Sequence, residues 1–152
     1  MRTIEREIVA AHLYSSDGKL FMAIDGPTIS SVYPGCWKIV GGGVEEGESR
    51  PDALRREILE ETGLDVSPYV MELVDDTMTG ESEKTLKKTG EKVLVKMKFY
   101  SYKVVLDKPA EQIVINLDPQ EFAEYRWVSI PELKSLKLSP PSIEIFTKLG
   151  YL

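Results

Sequence analysis

The sequence is short of the residues that most often act as nucleophiles. Its 152 residues include one cysteine, Cys36, and one histidine, His12. A single cysteine excludes an internal disulfide and suits a reducing, cytoplasmic setting. As a catalytic nucleophile Cys36 would need His12 beside it. The plainer expectation is a half-buried loop thiol for Cys36 and an alternating strand position for His12. Long apolar runs are also missing. The N-terminal "MRTIEREIVAAHLY" carries no apolar signal core, and nowhere does the chain reach the ~20 apolar residues of a membrane span. There is no internal repeat and no low-complexity segment.

Positive charge is in deficit too. Nineteen Lys and Arg face 25 Asp and Glu, a net charge of −6. Such a chain lacks the basic stripe that a nucleic-acid polymer requires. It can still take one small anionic ligand if a metal ion supplies the positive charge. Hydrophobic residues make up 42% and charged residues 29%, the balance of an ordinary soluble globular protein. The length suits one domain, residues 1–152, with a real core.

Along the chain, "REIVAAHLYSSDGKLFMAID" predicts two strands joined at Asp17-Gly18, a strong hairpin dipeptide. "GPTISSVYPGCWK" predicts a loop leading to a short apolar stretch from Trp37 to Val40. "VMELVDDTMT" and "EKVLVKMKFYSYKVVL" predict strands, the second alternating at Val93, Val95, Met97 and Phe99. The polar "GESEKTLKKTGE" between them predicts a mobile loop. "EYRWVSI" predicts a strand, then a short helix begun by Pro131, and "SPPSIEIFTKLGYL" a last helix. Strands on either side of two or three helices give an α/β or α+β sandwich.

The densest information lies in "GGGVEEGESRPDALRREILEETGL", residues 41–64. A helix is predicted from about Ser49 to Thr62. Ser49 with Asp52 resembles a capping box, Pro51 is tolerated in the first turn, and Gly63 is the favoured residue past the end. At about 100° per residue, Leu54 and Ile58 form an apolar stripe. Glu57, Glu60 and Glu61 fall together beside it, with no lysine at i+4 to relieve them. Clustered carboxylates suit a hard divalent ion such as Mg²⁺ or Mn²⁺. Gly41, Gly42 and Gly43, lacking Cβ atoms, predict a loop whose backbone approaches a ligand closely. Carboxylates facing such a loop make a site for a metal–polyphosphate complex.

Gly42, five residues, Glu48, seven residues, then "REILEETGL" from Arg56 to Leu64 resembles the complete Nudix box. "VYPGCWKIVGGGVEEGES" is similar to the approach to the box in the MutT-like branch, and "EFAEYRWVSIPEL" resembles its closing strand and helix. The resemblance implies an α/β/α sandwich with a mixed central sheet. It also implies a pyrophosphohydrolase that needs Mg²⁺ or Mn²⁺ and cleaves a nucleoside triphosphate to monophosphate and pyrophosphate, with deoxypyrimidine triphosphates among the candidates. Glu57, Glu60 and Glu61 are then metal-facing, with the Gly41 carbonyl as a further ligand, and Glu57 matches a proposed general base. Arg56 and Glu48 match the pair that orients the catalytic glutamate. Glu121, six residues before Trp127, resembles a carboxylate that completes the metal site from outside the box, with Asp118 and Glu124 near enough to substitute. Tyr33 and Trp37, flanking Pro34-Gly35, are candidates to stack on a base, and Gly42 and Gly43 to admit the phosphates.

The ADP-ribose subgroup resembles a pattern with a proline where Thr79 stands. Dinucleoside polyphosphate subgroups carry a tyrosine near Glu81 and Ser82, and the coenzyme A signature is absent. These differences favour a nucleoside triphosphate over ADP-ribose; the base, an oxidised nucleotide and a nucleotide sugar are left open. A nucleotide-sensing module without turnover is the alternative from another class, but such modules usually lose a box glutamate and this chain keeps them all. The expected partner is a small nucleotide, with no nucleic-acid polymer and no membrane; a homodimer is left open.

Overall fold

The computed structural model describes residues 1–26 and 33–152. The middle of the predicted Gly/Pro/Ser loop, residues 27–32, lies outside the described residues. Two long strands form the spine, β1 (Arg2–Tyr14) and β7 (Lys92–Val105). They run parallel in unbroken register from Arg2 opposite Val93 to Tyr14 opposite Val105. On the far edge of β1 lie β4 (Val40–Gly43) and then β2 (Leu20–Asp25), both antiparallel to it. β2 in turn pairs with β3 (Trp37–Lys38) and β8 (Phe122–Val128). On the far edge of β7 lie β5 (Glu72–Asp75) and β6 (Thr79–Thr85). Among the described residues the result is one mixed, curled eight-stranded sheet.

Helix α1 (Arg50–Thr62) covers one face through the fully buried Ala53, Leu54 and Ile58. They close a core with Val9, Ala11 and Leu13 of β1 and Tyr100, Tyr102 and Val104 of β7. Helix α2 (Pro140–Lys148) covers the other face, where Ile145 and Phe146 meet Tyr14, Leu20, Met22 and Val128. The expected α/β/α layering with a mixed sheet is therefore present. The ends of α1 follow the sequence closely. Ser49 Oγ accepts the Asp52 N–H at 3.2 Å, and Gly63 at φ 75° donates its N–H to the Leu59 carbonyl.

Four expectations are corrected or refined. Gly41, Gly42 and Gly43 do not form a loop: they are strand β4, paired with Ala10, Val9 and Ile8. Glycine is an unfavoured strand residue, but a Cβ at Gly41 would collide with the Val9 carbonyl, so close strand approach selects it. The polar segment read as a mobile loop contains β6, whose Thr79–Thr85 pair residue by residue with Lys98–Lys92. It is exposed along nearly all its length, so no apolar alternation marks it. Alternation in β7 also changes phase. Val93 and Val95 are buried early in the strand, whereas Tyr100, Tyr102 and Val104, on the opposite face, are buried later under α1. The helix at Pro131 is a 3₁₀ turn, Ile130–Ser135, closed by a Ser129–Glu132 capping box.

His12 is a strand residue as expected, but it is buried: it is 1% exposed and neither ring nitrogen has a partner among the described residues. Its ring meets Phe146 edge-on at 5.9 Å between centroids. Burial pushes its pKa down to about 4, with Asp75 opposing weakly. A folded-state pKa below the unfolded value means that stability is full above about pH 6.5 and is lost as pH falls toward 4. We expect stability to drop by about 3 kcal/mol across that window. Urea unfolding at pH 7 and pH 4.5 checks this, and His12→Leu should flatten the dependence.

Candidate active site

Three features of local sequence converge on the face of α1 that meets β4. Gly42 faces the helix, and a Cβ there would overlap the Glu57 carboxylate. Glycine at this position therefore makes room for a carboxylate on the neighbouring helix. The Glu57 side chain is 14% exposed and is held by Arg56, whose Nη1 donates to Glu57 Oε1 at 3.0 Å.

Arg56 is the hub of the arrangement. Its Nε and Nη2 grip the two Glu48 oxygens at 2.8 and 2.9 Å, a bidentate fork, and Nη2 also donates to the Gly43 carbonyl at 3.0 Å. Charge-assisted bonding holds the Glu48 carboxyl down to about 2, well below the usual carboxylate range. The same carboxylates raise the Arg56 pKa, so the guanidinium is a fixed charge. Arg56 thus ties together the loop before the helix, the glycine strand and Glu57.

Glu61, one helical turn beyond Glu57, is 1% exposed. Neither Oε1 nor Oε2 has a hydrogen-bond partner among the described residues. Burial is the main reason its pKa is pushed far up, and the nearby Glu57 and Glu121 carboxyls add to the shift. A buried carboxylate without a donor is costly, and a cation is the natural compensation. Glu60 differs: its side chain is 58% exposed and lies 3.5 Å from Arg56.

Glu121 arrives from the other end of the chain. The carbonyls of Glu61 and Thr62 accept the N–H groups of Asp118 and Asn116, which fastens this strap to the end of α1. A turn in which Asp118 O accepts the Glu121 and Phe122 N–H groups then sets Glu121 beside the cluster. Partial burial and then the Glu57 charge raise its pKa, while Lys38 opposes. Glu124, the alternative, is exposed and lies 3.9 Å from Arg126. Asp118 is half-buried and contributes its backbone to the strap.

The two aromatic candidates separate. Tyr33 is 40% exposed, at the edge of the segment outside the described residues. Trp37 is 7% exposed, packs into the α2-side core, and has the Arg126 guanidinium 5.0 Å from its ring centroid. Its faces are covered, so the expectation of a base-stacking Trp37 is corrected to a core role. The sequence reading missed Lys38, whose Nζ sits 2.5 Å from Asp25 Oδ1. Only strand pairing of β2 with β3 brings those two together, and no local motif announces it.

The family model described as the NUDIX domain matches residues 5–149. The chain belongs to the Nudix family. The nucleoside triphosphatase NudI of Escherichia coli (strain K12) is 34% identical over 102 residues, 67% of each chain. Among solved structures, the E. coli dihydroneopterin triphosphate pyrophosphohydrolase superposes with a TM-score of 0.66 at 21% identity, covering 93% of this chain and 92% of that one. MutT protein from Methanosarcina mazei superposes with a TM-score of 0.60 at 23% identity, covering 97% and 94%. At such identities these likenesses show the fold.

Nudix hydrolases generally need divalent metal ions. The donor set here fits one: oxygen-only ligands, with the buried, unpartnered Glu61 oxygens at its centre. Among the described residues, no three acidic, His or Cys side chains yet stand in chelating positions. If Glu121 belongs to the site, Glu121→Gln should weaken Mg²⁺ activation at least tenfold and Glu124→Gln less than twofold. Rates titrated against Mg²⁺ separate the two.

Proposed function

We propose that this Nudix domain, taken as residues 1–152, hydrolyses a nucleoside triphosphate to the monophosphate and pyrophosphate, using Mg²⁺ or Mn²⁺ in a cytoplasmic setting. The observation that carries the reading is the buried Glu61 carboxyl, paired with no cation and crowded by the Glu57 and Glu121 carboxyls. The likeness to a relative named as a nucleoside triphosphatase supports the substrate class. Small deoxypyrimidine triphosphates should outrank ADP-ribose, because Thr79 stands where the ADP-ribose subgroup has proline.

The chemistry follows from charge. Polyphosphate oxygens repel an anionic nucleophile, so the barrier falls when that charge is neutralised and water is aligned with phosphorus. A bound divalent ion supplies the neutralisation and lowers the pKa of water. Glu57, Glu60, Glu61, Glu121 and the Gly41 carbonyl are the groups that would hold it. Glu57 takes the proton from the attacking water as the bond between the α- and β-phosphates breaks and pyrophosphate leaves. Arg56, braced by Glu48, keeps Glu57 in the rotamer that faces Gly42. Gly42 and Gly43 remain candidates to meet the phosphates through their backbone, and Tyr33 is an exposed aromatic in the loop before β3.

Hydrolysis of dCTP, dTTP, dUTP, dGTP and ADP-ribose, with products resolved by anion exchange, tests the reading. Monophosphate and pyrophosphate from a deoxypyrimidine triphosphate are expected, with Glu60→Gln and Glu61→Gln reducing turnover about 10²-fold or more. Release of phosphate and a diphosphate would refute the cleavage site. Faster turnover of ADP-ribose would refute the substrate class.

A further inference from the structure

Among the described residues, five strands pair on one side only: β3, β4, β5, β6 and β8. Three of them are four residues or shorter, which blunts an edge. β6 and β8 are seven residues each, long enough to template a further strand. None of the backbone groups from Ala123 to Trp127 bonds to anything but β2 among the described residues. The outward N–H and C=O groups of β8 are therefore open to a neighbour.

The side chains decide which edge can meet its own copy. Two copies joined edge to edge run antiparallel about a two-fold axis perpendicular to the sheet. Such an axis keeps every side chain on its own face, so opposed residues are an even number of positions apart. On β6 this brings carboxylates together. Centring on Ser82 sets Glu81 against the partner's Glu83, and centring on Glu81 or Glu83 sets that residue against itself. Like charges directly opposed destabilise a strand pair, so β6 carries its own block. On β8 the register centred on Tyr125 does the reverse. Glu124 meets the partner's Arg126, Arg126 meets the partner's Glu124, and Ala123 meets the partner's Trp127. Centring on Glu124 or Arg126 instead would set that residue against itself.

Both faces of β8 suit the Tyr125 register. Glu124 and Arg126 are exposed and lie with Met22 and Ile24 on the α2 side, 3.9 Å apart within the chain. Doubled by the axis, they make a square of alternating charges. Tyr125 lies on the α1 side, stacked on Phe21 at 5.5 Å between centroids and still 38% exposed. In the register centred on it, two such rings meet at the axis and cover each other.

We propose that β8 is the interface between two copies of this chain, paired antiparallel and centred on Tyr125, so that the two sheets join into one. The assignment stands apart from the triphosphate reading, since no residue of β8 belongs to the carboxylate cluster.

Sedimentation velocity on the parent chain, Glu124→Arg, Arg126→Glu and an equimolar mixture of the two variants tests it. The parent should be dimeric at micromolar concentration, and added salt should loosen the dimer. Each variant alone opposes like charges and should raise the dimer dissociation constant about tenfold or more. Mixed, the two variants restore opposite charges at every position, and a heterodimer as tight as the parent dimer is expected. A fold damaged by either substitution would not be rescued by mixing. A parent that stays monomeric, single variants that dimerise like the parent, or a mixture no tighter than its components would each overturn the proposal.

Discussion

The Arg56 guanidinium is the interaction on which the rest of the site depends. A carboxylate on a helix has several rotamers open to it, and catalysis needs one. Arg56 removes the choice by binding Glu57 while its own position is fixed by both oxygens of Glu48 and by the Gly43 carbonyl. A lysine has neither the fork nor the reach to serve three acceptors at once. The glycine strand completes the constraint from below, because Gly42 is the one residue type that leaves Glu57 its space.

Around this hub the fold concentrates negative charge that it does not itself neutralise. Glu61 is buried with both oxygens unpartnered, and Glu121 is brought beside it by a strap fastened to the carbonyl end of α1. Such an arrangement costs stability, and natural chains keep such costs where function requires them. The core on either side supports the strain. Leu54 and Ile58 fix the helix against β1 and β4, so the carboxylates cannot retreat into solvent by tilting α1.

Much of this was legible in the sequence, and the rest was hidden for physical reasons. The helix, its Ser49 and Gly63 boundaries, the Asp17-Gly18 turn and the box residues are local patterns, written in spacings shorter than fifteen residues. The role of Gly41–Gly43 as a strand was not, because the collision that requires glycine involves Val9 and Arg6, more than thirty residues away. Strand β6 was invisible because both its faces are wet. Trp37 read as a ligand contact from its place in a motif, and the packing of α2 and Arg126 against β3 decided otherwise. Glu121 was found by a resemblance in spacing, and its proximity to Glu57 and Glu61 comes from backbone hydrogen bonds that no spacing encodes.

The central claim is that the buried carboxylates, Glu61 above all, exist to bind a divalent cation, with Glu57 held in place to join them. Mn²⁺ binding followed by electron paramagnetic resonance tests it without relying on turnover. The account predicts saturable Mn²⁺ binding to the parent chain, weakened at least tenfold by Glu61→Gln and clearly weakened by Arg56→Lys, which frees Glu57. Mn²⁺ affinity unchanged in Glu61→Gln would contradict it.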